Sequence, residues 1–248
     1  MNTRHRLLIC FALAAFLPGH VTGQAIPVDQ SYDTARDLFN MTVDNPPDPA
    51  MLARGQAIAT HGAGDVQSCI TCHSVGGLGD GSGSFPRLTG QPAWYLDKQL
   101  DDYTSGARPD DLMTTVAQSL SEDDRAAVSA YYASLAAPLR VARGQLPVNE
   151  IQKGAAIARA GSPEKGLPAC TNCHGPDGTG NPPSVPYLAG QYANYMVLQL
   201  DRWRRGKRGN DFGGMMSAIA RKMTPEDMRA ISEYYERVAN PLTTKDPE

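Results

Sequence analysis

The sequence predicts an all-α protein made of two tandem copies of one helical unit, and three observations carry that prediction. The first is an internal repeat. Cys69-Ile-Thr-Cys-His73 and Cys170-Thr-Asn-Cys-His174 are offset by 101 positions, and the likeness continues downstream. Pro86-Arg-Leu-Thr-Gly-Gln91 answers Pro186-Tyr-Leu-Ala-Gly-Gln191. Tyr95, Gln99 and Leu100 answer Tyr195, Gln199 and Leu200, and Gly106-Ala-Arg108 answers Gly206-Lys-Arg208. The second is helical spacing: Val128, Tyr131, Tyr132 and Leu135 form a stripe that Ile231, Tyr234, Tyr235 and Val238 repeat in kind. The third is that nothing alternates at period two for long, so strands should be few.

The elements follow in order. Arg4, His5 and Arg6 precede an apolar run from Leu7 to Leu17 that Pro18-Gly19 breaks. That is a basic region and a hydrophobic region too short for a fixed membrane span, so residues 1–23 read as a secretory signal with small residues at Gly23 and Ala25 for cleavage. Cys10 lies inside this run with no small residue before it, so it should leave with the signal. Residues 24–50 form an acidic extension ending in Asn-Pro-Pro-Asp-Pro. A first domain, 51–136, is expected to hold a short helix over Leu52–Thr60 and a middle helix over Gln91–Thr104. Its closing helix is signalled by the Ser121-Glu-Asp-Asp cap. A linker, 137–149, contains Pro138, Gly144 and Pro147. The second domain, 150–240, repeats the plan with Gln152–Arg159, Gln191–Arg205 and a closing helix behind Thr224-Pro-Glu-Asp, where Pro225 suits the first helical position. Residues 241–248 are a tail.

Composition excludes several classes. With 41% hydrophobic and 20% charged residues, the chain is neither disordered throughout nor a multi-span membrane protein. A net charge of -3 argues against general nucleic-acid binding. Five cysteines in 248 residues are too few for a disulfide-stapled scaffold.

The four cysteines left after export all belong to Cys-x-x-Cys-His motifs, whose specific chemistry is attachment of haem c. Thiols three apart on a helical turn reach two vinyl groups on one porphyrin edge, and the adjacent histidine presents its imidazole to the iron. A zinc ribbon would separate its cysteine pairs by about 15–20 residues and would not need a histidine after each. A thioredoxin-like pair would need a βαβ setting that is not evident. Cys69, Cys72, Cys170 and Cys173 are therefore the attachment residues for two covalent haems, with His73 and His174 as iron ligands.

The mature chain has one other histidine, His61, in a polar glycine-bounded stretch that reads as surface. Both irons cannot then be bis-histidine, and methionine thioether is the remaining distal ligand type. Met113 is the only methionine between His73 and the linker. In the second half, aligning Leu120 with Met223 places Met113 opposite Met216. Met215 stays open as a rival because one gap shifts the register. Met196, Met223 and Met228 fall at packing positions.

These features together resemble the cytochrome c4 family of dihaem class I cytochromes c over nearly everything from Met51 to Asn240. The resemblance rests on both haem motifs, the Pro-x-Leu-x-Gly-Gln segments, the Tyr-x-x-x-Gln-Leu middle helices, the Gly-x-Arg turns and the Tyr-Tyr closing helices. It implies two helical cytochrome folds side by side, with His73 and Met113 on the first iron and His174 and Met216 on the second. It also implies that the carbonyls of Pro86 and Pro186 orient the proximal imidazoles. The first half departs from the pattern in its glycine-rich loop, His73-Ser-Val-Gly-Gly-Leu-Gly-Asp-Gly81.

An iron held by histidine and methionine has no vacant position for a substrate, and thioether ligation favours its reduced form. The expectation is a periplasmic single-electron carrier, not an enzyme. It would work between a donor dehydrogenase or quinol-oxidising complex and an acceptor oxidase, and peripheral association with a membrane surface is compatible with this class. The alternative is the cytochrome subunit of a larger oxidoreductase. A dihaem peroxidase or thiosulfate-oxidising enzyme is disfavoured, because no cysteine is left over and each half supplies a methionine. Charge separates the halves: residues 24–145 hold 8 basic and 15 acidic side chains, and 146–248 hold 13 and 11. The cluster Arg202, Arg204, Arg205, Lys207 and Arg208 answers Asp101-Asp102 and Asp110-Asp111. That pattern reads either as ordinary solvated faces or as a dipole that steers donor and acceptor to different ends.

Overall fold

A computed structural model describes residues 46–80, 82–136 and 148–238. The expected signal, most of the acidic extension and linker, and the tail lie outside the described residues. In the first half, α1 (Pro49–His61), α2 (Ile70–His73), α3 (Ala93–Ser105), α4 (Met113–Gln118) and α5 (Glu122–Ser134) follow in order. The second half repeats them as α6 (Val148–Ala160), α7 (Thr171–His174), α8 (Ala193–Arg204), α9 (Met215–Lys222) and α10 (Pro225–Arg237). Among the described residues only isolated β-bridges occur, such as Ala63 with Val66 and Ser162 with Leu167. The all-α expectation stands.

The caps explain where the helices begin. Asp48 accepts the Ala50 N–H at 2.9 Å and Pro49 takes the first position, so α1 starts three residues before the apolar pattern does. Ser121 accepts from the Asp124 N–H at 3.2 Å to start α5. Thr224 and Asp227 form a reciprocal capping box at the start of α10. The middle helices begin behind Pro92 and Tyr192, two residues later than expected.

In each half the first helix crosses the closing helix at a glycine. A Cβ at Gly55 would lie 2.1 Å from the Ala127 carbonyl oxygen, and one at Gly154 would lie 2.0 Å from that of Ala230. Only hydrogen fits there, so the backbones touch. Around these crossings Ile58, Leu96, Val128 and Tyr132 form the first core, and Ile157, Met196, Met228 and Tyr235 the second.

The two halves exchange matching contacts through the Pro-x-Leu-x-Gly-Gln segments. Gln91 accepts the Tyr187 N–H at 3.2 Å and donates to the Tyr187 carbonyl at 3.0 Å. Gln191 accepts the Arg87 N–H and donates to the Arg87 carbonyl, both at 3.0 Å. The Tyr187 hydroxyl donates to the Thr89 carbonyl, and that of Tyr192 reaches the Leu78 carbonyl at 3.1 Å. Both glutamines are 4% exposed, so these bonds form in a dry seam where an unmade partner is costly.

Candidate haem sites

Each haem motif occupies one tight turn. Cys69 precedes α2, and the His73 N–H returns to the Cys69 carbonyl at 2.8 Å; the His174 N–H does the same to Cys170 at 2.9 Å. The turn puts both thiols and the imidazole of each motif on adjacent positions. Both imidazoles are buried, at 7% and 9% exposure. His73 Nδ1 lies 3.0 Å from the Pro86 carbonyl and His174 Nδ1 2.9 Å from the Pro186 carbonyl. A carbonyl only accepts, so Nδ1 carries the proton and Nε2 keeps its lone pair for a metal. Burial drives both histidines below their ordinary pKa, although the carbonyl contacts pull the other way. They are neutral, which is the ligating form.

Behind each first cysteine stands a tyrosine of the closing helix. Tyr132 neighbours Cys69 and Tyr235 neighbours Cys170, and burial pushes each of those two thiols up. The tyrosine rings press on Gly77 and Gly178, where a Cβ would come within 2.6 and 2.5 Å of ring carbons. Both glycines have positive φ, 69° and 77°, so the loop after each histidine can close only with glycine there.

Met113 is the first residue of α4 and is half-buried. Asp110 organises this turn: its Oδ1 accepts the Leu112 and Met113 N–H groups at 3.2 and 3.1 Å. Its other oxygen pairs with Arg202 of the second half at 2.9 Å. Burial alone would raise the Asp110 pKa, but the Met113 N–H and Arg202 hold it below the usual carboxylate value. In the second half Asp211 takes the same role, accepting from the Ser217 N–H at 2.8 Å and hydroxyl at 2.9 Å. Met216 is half-buried and packs against the second core, as Cys170 does, whereas Met215 is 52% exposed. Asp110 and Asp211 were not singled out from the sequence as site residues. The signal was there in the first half, where an aspartate stands three residues before a methionine that opens a helix.

The basic cluster expected to form a face is corrected by the structure. Arg208 is buried at 3% exposure, Arg202 is tied to Asp110, and Arg204 and Arg205 both pair with Asp201. Among these charges the Arg202–Asp110 pair joins the two halves, while Asp101 and Asp102 pair with Arg125 and Lys98 of their own half.

The residues present fit a haem in each half. Each half offers two thiols, a neutral imidazole with Nε2 free, and a half-buried methionine. The Nε atoms of Arg87 and Arg108 and Nε1 of Trp203 are buried donors without an acceptor, which suits a group carrying carboxylates at one edge and an apolar body. The half-buried Leu88 and Tyr95 pack against the first core, and Leu188 and Tyr195 against the second.

A twofold set of Cys-x-x-Cys-His turns, each with a carbonyl-oriented imidazole, defines a protein that binds two haem c groups covalently and passes single electrons. The cytochrome c family model matches residues 52–136 and 151–238. The chain is 40% identical over 196 residues to the thiosulfate dehydrogenase electron acceptor of Stutzerimonas stutzeri, covering 78% of this chain and 90% of that protein. It is 36% identical over 193 residues to cytochrome c4 of Pseudomonas aeruginosa, covering 74% and 94%. The crystal structure of reduced recombinant cytochrome c4 from Pseudomonas stutzeri superposes with a TM-score of 0.65 at 32% identity, over 75% of this chain and 97% of that one. The chain belongs to the cytochrome c family and, within it, to the dihaem cytochromes c4.

Proposed function

We propose that this cytochrome is a periplasmic single-electron carrier whose donor is a thiosulfate dehydrogenase and whose acceptor is a terminal oxidase. The division of labour is one haem for residues 51–136 and one for 150–240. Cys69 and Cys72, and Cys170 and Cys173, hold the haems; His73 with Met113, and His174 with Met216, ligate the irons. The observation that carries the reading is the pair of buried neutral imidazoles, each locked by its own proline carbonyl, in halves that each supply a half-buried methionine. The exposure of Met215 favours Met216 as the second distal ligand.

Bound haem c supplies a one-electron iron couple. The protein does the rest. Pro86 and Pro186 fix the imidazole planes, and the apolar cores keep water from the ligating nitrogens. Asp110 and Asp211 hold the turns that present the methionines. With His73 and Met113 on one iron and His174 and Met216 on the other, each bound haem would have no site left for a substrate and would supply only one-electron exchange. The thiosulfate dehydrogenase donor is argued from the relative at 40% identity, which bears that partner in its name. Residues 1–23 support export to the periplasm through their basic and apolar segments. No helix among the described residues is long and apolar enough to cross a membrane.

Rapid mixing tests the reading. Oxidised holoprotein mixed with thiosulfate and a thiosulfate dehydrogenase should be reduced within the turnover time of that enzyme, and thiosulfate alone should leave it oxidised. Reduction only by a quinol-oxidising complex would reassign the donor. Reduction by thiosulfate alone would make the protein an enzyme.

A further inference from the structure

Two arginines meet in the seam between the halves. Arg108 and Arg208 are 4% and 3% exposed. Each guanidinium lies over an aromatic ring of its own half, Arg108 over Tyr103 at 4.6 Å and Arg208 over Trp203 at 4.0 Å. They share the same two acceptors. Gln99 Oε1 accepts from Arg108 at 3.0 Å and Arg208 at 2.8 Å, and Gln199 Oε1 accepts from Arg108 at 3.1 Å and Arg208 at 2.8 Å. Arg108 also donates to the Tyr195 hydroxyl at 2.9 Å, and Arg208 to Asn210 Oδ1 at 2.9 Å.

None of these partners is a carboxylate; the one acidic group hydrogen-bonded to them is the Tyr195 hydroxyl, whose pKa burial would raise but both arginines pull down. Neither arginine has a carboxylate within ion-pair distance among the described residues. The nearby acids are committed elsewhere: Asp102 to Lys98 and the Asn210 amide, and Asp110 to Arg202. Arginine cannot shed its proton to escape burial. Two like charges sharing neutral acceptors in a dry seam need an anion to offset their desolvation. The same region holds donors without acceptors, Arg108 Nε and Trp203 Nε1.

We propose that Arg108 and Arg208 form one buried dication whose counter-charge is the propionate carboxylates of the two haems, so that each arginine tunes the reduction potential of both. The inference rests on the carrier reading above, in which both haems are covalently held. The tuning is shared because Arg108 contacts Gln99 of its own half and Gln199 of the other, and Arg208 likewise contacts both. Positive charge in this seam disfavours the extra charge of ferric iron, so losing it lowers the potentials. Arg108 and Arg208 are positioning and tuning residues; they do not ligate iron.

The test is a spectroelectrochemical titration of holoprotein confirmed to carry two haems, which separates failure of this inference from failure of haem loading. Arg108→Gln and Arg208→Gln should each lower both midpoint potentials, so that the reduced fraction at fixed poise falls several-fold at both centres; a tenfold fall in the ratio is about 59 mV for one electron. Arg108→Lys, which keeps the charge, should retain most of the potential. The control Gln91→Ala, which loosens the seam at the Tyr187 backbone without removing charge, should move the potentials much less. A shift confined to the haem of the substituted half, or no shift, overturns the proposal. So does an equal shift in Gln91→Ala, which would assign the effect to seam integrity. Should the glutamine variants fail to load haem, redox-difference infrared spectra of the wild type and Arg208→Lys decide. Propionate carboxylate bands should move on substitution, and unmoved bands overturn the proposal.

Discussion

Gln191→Ala is the most revealing single truncation, because the side chain serves three backbone groups in a seam that water does not reach. Its amide accepts the Arg87 N–H at 3.0 Å and the Tyr192 N–H at 3.1 Å, and donates to the Arg87 carbonyl at 3.0 Å. Alanine strands all three. An unsatisfied buried backbone group costs about 1–3 kcal/mol, so the loss should fall between about 3 and 9 kcal/mol, at the lower end if water enters the space. Gln91→Ala strands only the Tyr187 N–H and carbonyl, and should cost about 2–6 kcal/mol by the same reckoning. The two side chains belong to one hydrogen-bonded seam, so the double variant should depart from additivity by about 0.5–3 kcal/mol. Urea denaturation of the holoprotein followed by far-ultraviolet circular dichroism measures all three. Haem loading should be intact, because the cysteines and histidines lie elsewhere. A cost under about 0.5 kcal/mol for Gln191→Ala, or a larger cost for Gln91→Ala than for Gln191→Ala, would refute the assignment of these bonds as the seam.

Met113→Ala and Met216→Ala should each open one iron, so that carbon monoxide binds the reduced protein at one haem per molecule; Met215→Ala should leave both closed. Gly55→Ala and Gly154→Ala gain about 1 kcal/mol of helix propensity but place a Cβ about 2 Å from a carbonyl oxygen, so both should destabilise by about 1–3 kcal/mol or more, read by thermal melts. Asp227 is fully buried with Lys153 and Lys165 on its carboxylate. Burial would raise its pKa, but Lys165, the Thr224 N–H and Lys153 hold it well below the usual carboxylate value. A depressed pKa means stability that is present above the unfolded value of about 3.9 and is lost as pH falls toward the folded one. Asp227→Asn should therefore be less stable at neutral pH and show a flatter acid limb; an unchanged acid limb would remove the carboxylate as its source.

Much of this protein is legible along the chain because its main signals are local. The haem turns, the Ser121 and Thr224 caps and the tyrosine stripes each need only a few neighbouring residues to be recognised. The repeat then tells that whatever one half does, the other does too. What stays hidden depends on the other half. Gln91 and Gln191 mark the family pattern, yet nothing local says that each closes on the backbone of the opposite segment. Arg108 and Arg208 read as surface turn residues because the aromatic and glutamine partners that bury them lie on other elements. Arg202 reads as part of a basic face until Asp110, 92 positions away, is placed beside it. The distal helices α4 and α9 escape notice because they are short and begin on aspartate turns, and a 3-10 turn over Phe212–Gly214 separates Asp211 from the second of them.

The account depends on both irons being capped by methionine sulfur, which leaves them only able to exchange electrons. The most direct measurement is the far-red absorption of the purified, oxidised holoprotein at neutral pH, where iron–thioether ligation gives a weak band. The intensity should correspond to two such centres, with Met113→Ala and Met216→Ala each removing half. A wild-type protein without that band, whose two reduced haems both take up carbon monoxide readily, would contradict it.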